Sequence, residues 1–178
     1  MNSSGMGIRE RDKYETNHLA AERPPRRSAS GAALVFGCER PKVTEIVRAE
    51  VTLAAQGDIL RARSAGRDVA RSLGFSTADQ TRLATAISEL SRNALNYGLG
   101  GTCTIFTSKH DDGRNTIRIV VADKGPGIPD LALALQPGFS SGGGLGQGLT
   151  AVRRLMDELN IESAPGRTLI EAKMSRKP

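Results

Sequence analysis

The chain has 178 residues, enough for one domain with an extension and a real buried core. Only 3% of its residues are aromatic and none is Trp, so the core is expected to be built from Ala, Leu, Ile and Val, and the scarcity of stacking side chains weakens a single-strand nucleic-acid reading. The net charge of +6 is spread, with 8 basic and 5 acidic side chains in residues 1–42 and 17 and 14 in the remainder, so no concentrated basic patch points to nucleic acid.

Residues 1–42 alternate charges and then run through R-P-P-R-R-S-A-S-G without a sustained apolar period. Such a segment buries too little to offset its ordering entropy and is expected to be a disordered extension. The ordered domain is expected over 43–178. Val47, Ala49, Val51 and Leu53 alternate with Ile46, Arg48, Glu50 and Thr52, which predicts a strand. Ile59, Ala62, Gly66, Val69 and Leu73 then follow a helical stripe, with Asp58 as candidate N-cap and Gly74 as the stop. A second helix opens at Ser76 and Asp79 with the spacing of a capping box and runs to about Asn96. Two strands, Thr102–Ser108 and Thr116–Ala122, flank an Asp-Gly turn. After a glycine-rich loop, a helix is expected from Gly148 to Leu159, and strands at Ile161 and Thr168–Met174 close the chain around A-P-G-R. The order predicts an α/β fold, a two-layer sandwich with helices on one face of a mixed sheet.

Cys38 and Cys103 have no metal-ligand spacing, and Cys103, in T-C-T-I-F-T, reads as a small buried hydrophobe. No window resembles a signal peptide or a membrane span, so a cytoplasmic protein without membrane partners is expected. His18 and His110 have no acid or nucleophile at a useful spacing and read as solvated.

Three stretches carry chemistry. On the helix I-S-E-L-S-R-N-A-L-N-Y, Glu89 and Asn93 stand at i and i+4 on one face, bringing a carboxylate and an amide oxygen within reach of each other. Such hard oxygens suit Mg²⁺, which takes one or two protein ligands beside phosphates and water. In V-V-A-D-K-G-P-G-I-P-D an acid, Asp123, follows a strand at once, with Gly125 and Gly127 behind it, where ligands of α/β folds commonly bind. In F-S-S-G-G-G-L-G-Q-G-L, five of the seven residues Gly142–Gly148 are glycine and the run enters a helix, a setting for anion binding by backbone N–H groups. The run is not a Walker A loop, because no Gly-Lys-Ser/Thr follows.

Together, E-x-x-x-N on a helix, D-x-G-x-G after a strand and a glycine-rich stretch before a helix resemble the three nucleotide-binding boxes of the GHKL (Bergerat-fold) ATPases. Within that superfamily, A-I-S-E-L-S-R-N, D-K-G-P-G-I-P-D, G-F-S-S-G-G-G-L-G-Q-G-L and V-R-R-L-M-D-E resemble the RsbT-type switch serine kinases, relatives of anti-sigma-factor kinases. The resemblance covers about residues 44–178. It implies a serine kinase that uses ATP and Mg²⁺ and phosphorylates a STAS-domain antagonist in a partner-switching pathway, with a phosphatase or a sigma-factor regulator as further partner. By the same resemblance Asp123 would bind the adenine amino group, with Gly125 and Gly127 shaping its pocket and Thr168 close by. Asn93 would hold Mg²⁺ and Glu89 would take the serine proton. Gly142, Gly143, Gly144, Leu145, Gly146 and Gly148 would close over the phosphates. Lys124 departs from the pattern and is expected to point outward. A non-catalytic nucleotide-binding module and a direct sigma-factor binder are the alternatives; a histidine kinase is disfavoured, since neither histidine lies on a dimerising helix.

Overall fold

Alternating side chains build the first strand, β1 (Glu45–Leu53), whose inner residues become buried toward Leu53. The structure, a computed structural model, describes residues 44–136 and 148–177. The expected extension at 1–42 lies outside them. Helices α1 (Gln56–Ser72) and α2 (Thr77–Tyr97) follow, then β2 (Gly101–Lys109), β3 (Asn115–Asp123), the short α3 (Leu131–Ala134), α4 (Gly148–Leu155), β4 (Glu158–Ala164) and β5 (Arg167–Arg176). The strands form one sheet in the order β1-β2-β3-β5-β4. Leu83, Ile87 and Leu90 of α2 bury one stripe against Ile105, Ile117, Ile119, Val121 and Met174 of the sheet, all without measurable exposure or nearly so. The two-layer architecture is therefore as expected.

The pairing is not mixed: all four ladders are antiparallel. A single crossover helix would return β2 parallel to β1, but α1 and α2 form a two-helix hairpin, so the chain re-enters the sheet where β1 left it. The turns at His110–Arg114 and Pro165–Gly166 make hairpins, which are antiparallel by construction. The connection from β3 to β4 does leave those strands running the same way, yet β5 inserts between them.

Two helix ends also differ from expectation. Asp58 is not the N-cap of α1; Ala55 is, and Asp58 sits in the first turn, where its Oδ2 accepts the N–H groups of Ala54 and Ala55 at 2.7 and 2.8 Å. Its carboxylate reaches back from the first turn to the amides at and before the cap, the reverse of an N-cap bond. Helix α4 stops at Leu155, not Leu159, because the Asp157 N–H already donates to Lys173 O at 2.9 Å. Leu159 satisfies both a helical spacing from Leu155 and a strand spacing to Ile161; pairing with Ala172 decides for the strand. Ser76 caps α2 as expected, accepting from the Asp79 N–H at 3.1 Å. Cys103 is buried as expected, and burial pushes its thiol up to about 12, so it stays protonated and inert. No helix among the described residues is long and apolar enough to cross a membrane.

Carboxylates fasten both ends of the helical layer. The N–H groups of Ala54 and Ala55 and the Arg61 guanidinium hold Asp58 down to about 2. Asp79 is lowered by its bond from Arg176 Nη2 (2.9 Å), against the opposing effect of burial, with help from the Ser76 hydroxyl. Both groups sit below their unfolded value of 3.8, so the folded state binds fewer protons in acid. Their contribution is complete above that value and disappears as pH falls through it toward the folded values. Denaturant unfolding should therefore show lower stability at pH 3 than at pH 7, and Asp58→Asn should narrow the gap. An unchanged gap would remove Asp58 from the acid response.

Candidate functional site

Helix α2 is the wall on which the site is built. Leu83, Ile87, Leu90 and Ala94 turn into the core, which leaves Glu89 and Asn93 half-buried on the flank. Glu89 Oε1 accepts from Arg92 Nη1 at 2.5 Å. Its Oε2 faces the start of α4: a Cβ on Gly148 would stand 3.3 Å from Oε2 and 3.5 Å from both amide atoms of Asn93. The last glycine of the glycine-rich run thus lies beside the acid and the amide. Gly142, Gly143, Gly144, Leu145 and Gly146 lie outside the described residues.

The second group stands at the C-terminal end of α2. Asp123 is the last residue of β3 and pairs across the sheet with Thr168 of β5, which is buried. Asp123 Oδ1 accepts the Gly125 N–H at 2.9 Å. Gly125 runs against the helix end so closely that a Cβ there would come within 2.6 Å of Gly98 Cα and of Tyr97 O. The Gly125 carbonyl accepts the Gly166 N–H at 2.9 Å, tying this turn to the β4–β5 hairpin. Gly127 has φ +82 and lies against the backbone of Ala164 and Pro165, a conformation and a space that both favour glycine. Lys124 is exposed, as expected from its place between Asp123 and Gly125.

Two participants were not singled out from the sequence. Ser163 accepts the Ile128 N–H at 2.8 Å and lies 3.0 Å from the Thr168 hydroxyl, so it joins the loop after Asp123 to the hairpin. Its register opposite Thr168 follows from the A-P-G-R turn, which could have revealed it. Gly98 carries the Asp123 side chain against it, and the glycine run G-L-G-G after the helix was its signal.

From Glu89 to Gly98 is about 13 Å along the helix axis. One end of this strip offers Asp123 Oδ2 and the hydroxyl pair of buried Thr168 and half-buried Ser163, the other a carboxylate oxygen, an amide and a helix start. Among the described residues no group of three or more His, Cys, Asp or Glu is placed to hold a metal. Glu89 and Asn93 supply only one carboxylate and one amide oxygen, which fits a Mg²⁺ that shares its shell with phosphates and water and does not fit an all-protein cage. Concavities of about 370 Å³ beside Glu158, Asn160 and Lys173, and of about 320 Å³ beside Leu131, Arg153 and Ile161, include none of Glu89, Asn93, Asp123 or Thr168. The polar chemistry lies outside both.

The family described as histidine kinase-, DNA gyrase B-, and HSP90-like ATPase matches residues 78–177. The serine/threonine-protein kinase RsbT of Bacillus subtilis is 47% identical over 116 residues, covering 65% of this chain and 86% of that protein. The anti-sigma F factor of a Thermoanaerobacter species is 38% identical over 86 residues, covering 47% of this chain and 60% of that protein. Among solved structures, the RsbU and RsbW domains of a Mycobacterium tuberculosis protein align at a TM-score of 0.49 with 20% identity, over 75% of this chain and 33% of that one.

The two glycine contacts differ in kind, and the difference can be measured. A methyl group at Gly125 would meet backbone, which cannot rotate away, whereas one at Gly148 would meet the tips of two side chains. Gly125→Ala should cost about 1–3 kcal/mol in denaturant unfolding, and Gly148→Ala about 0.5 kcal/mol or less. Equal losses would show that the α2–Gly125 contact is looser than described.

Proposed function

We propose a function for a chain that belongs to the histidine kinase-, DNA gyrase B- and HSP90-like ATPase family: it transfers the γ-phosphate of ATP to a serine of a regulatory protein. The enzyme class is serine/threonine-protein kinase, and the acceptor is a STAS-domain antagonist in a partner-switching pathway. The convergence of Glu89 Oε2, Asn93 and Gly148 at one point carries this reading, because it joins a base, a metal ligand and a phosphate-facing helix start on one strip with Asp123. The similarity to a named serine/threonine-protein kinase over 86% of its length supports it.

Asp123 receives the adenine amino group on Oδ2, since Oδ1 is already taken by the Gly125 N–H. Thr168, Gly125 and Gly127 line that end of the strip. Gly142, Gly143, Gly144, Leu145, Gly146 and Gly148 supply backbone N–H groups to the phosphates, with the start of α4 adding the positive end of its dipole. Asn93 holds Mg²⁺, which when bound neutralises phosphate charge. Glu89 Oε2 takes the serine hydroxyl proton as the serine Oγ–Pγ bond forms; the Pγ–O bond to the β-phosphate breaks and ADP leaves. The new phosphate adds about −1.5 to −2 charges to the acceptor, enough to break or remake its complexes with a phosphatase or a sigma-factor regulator. A cytoplasmic location follows from that role. The anti-sigma F factors among the relatives favour a second reading, direct binding of a sigma factor, at lower identity and coverage.

Labelled ATP, Mg²⁺ and purified STAS-domain proteins of the same genome test the transfer, and sigma-factor pull-down tests the second reading. Glu89→Gln should keep ATP affinity and lose phosphoryl transfer by about 10²–10⁴-fold. Asn93→Ala should weaken Mg²⁺-dependent nucleotide binding as well as turnover. Asp123→Asn should weaken ATP binding by about 1–3 kcal/mol in calorimetry. Transfer by Glu89→Gln at the wild-type rate would show that Glu89 is not the base. A wild type that binds ATP and acceptor yet transfers nothing would leave a binding module.

A further inference from the structure

We infer that Arg92 is a positioning residue for Glu89, fixing which carboxylate oxygen faces the reacting groups. The inference deepens the kinase reading and rests on it. The two oxygens of Glu89 are chemically equivalent, and rotation about the last side-chain torsion exchanges them. The structure distinguishes them: Oε1 is held by Arg92 Nη1 at 2.5 Å, and Oε2 is the atom turned toward Gly148 and Asn93. Arg92 stands three residues after Glu89 on the same helix, so the anchor is built into α2 and needs no other element. Among the described residues Glu89 is its one ion-pair partner.

Stability gives this pair little reason to exist. The Arg92 side chain is 45% exposed and that of Glu89 27%, and ion pairs so open to water contribute little to folding. A carboxylate that must accept a proton from a hydroxyl placed beside a phosphate gains more from being held in one orientation. Misplacing such a group by about 1 Å costs on the order of 10²-fold in rate. The guanidinium also keeps a positive charge next to the carboxylate while the anionic phosphates approach.

The test uses the full chain, γ-labelled ATP with Mg²⁺, a purified STAS-domain acceptor, and calorimetry for ATP. Arg92→Ala should lower kcat by about 10- to 100-fold. KM and Kd for ATP should stay within about twofold, and the melting temperature should not change. Arg92→Lys should restore part of the rate, since it keeps the charge and loses the fork. In a Glu89→Gln background, Arg92→Ala should cause no further loss, because the carboxylate it orients is gone. Three results overturn the inference while the kinase reading stands: full activity in Arg92→Ala, a rate loss matched by weaker ATP binding, or independent losses in the double variant. The second would mean that Arg92 touches the nucleotide itself. If the wild type transfers nothing to any acceptor, the kinase reading fails and this inference falls with it.

Discussion

The backbone of Gly125 presses on the end of α2 at Tyr97–Gly98, leaving less room than one methyl group requires. This contact fixes where β3 delivers Asp123 relative to the helix that carries Asn93 and Glu89. A helix packed only by its apolar stripe can slide or turn by small amounts against a sheet, since dispersion contacts are individually weak and non-directional. Here the C-terminal end abuts a strand exit, and the N-terminal end is tied by Asp79 to Arg176 of β5 at 2.9 Å. Both ends are thus referred to the same sheet, and the strip between Glu89 and Gly98 becomes a ruler of constant length. The Gly166 N–H on the Gly125 carbonyl extends the same frame to Thr168 and Ser163.

Most of this frame was legible in the sequence because it is written in local periods and turn residues. The apolar stripe Leu83–Ile87–Leu90–Ala94 placed Glu89 and Asn93 on a flank, and the Asp-Gly turn paired β2 with β3. Strand polarity was not legible in the same way. Both helices between β1 and β2 were read from their periods, but where β5 inserts in the sheet leaves no periodic trace. The helix stop at Leu155 was hidden because Leu159 fits a helical and a strand period equally well; the Asp157 amide on Lys173 O settles it. Ser163 went unnoticed because a single serine in a strand has no signature until its partner across the hairpin is known. The short α3, capped by Asp130 through its bond to the Leu133 N–H, is one turn long and too brief for periodicity to reveal.

Charge shows a similar division of labour. Many basic side chains of the described residues are paired with acids on surfaces away from the strip. On the open face of the sheet Arg118 bridges Glu45 and Glu171 and lies 4.1 Å over the Phe106 ring. The strip itself carries two carboxylates, Glu89 and Asp123, with Arg92 paired to the first, although the ligand of an ATPase is an anion. These side chains give no net positive charge to attract it. A helix start such as that of α4 is a source of positive potential that does not depend on side chains.

The two carboxylates of the strip share a construction. Each has one oxygen engaged by a donor from its own chain neighbourhood: Asp123 Oδ1 by the Gly125 N–H two residues on, Glu89 Oε1 by Arg92 three residues on. Each is left with one oxygen of defined direction. A free carboxylate offers two oxygens and a rotating plane, and binding it in one orientation costs side-chain entropy at the moment of recognition. Engaging one oxygen beforehand moves that ordering into the folding of the chain, where it accompanies a turn or a helix that forms in any case. The same economy explains why the donors are so near in sequence. A donor brought from a distant element would move whenever that element moved, whereas one two or three residues away holds its carboxylate for as long as the local backbone is folded.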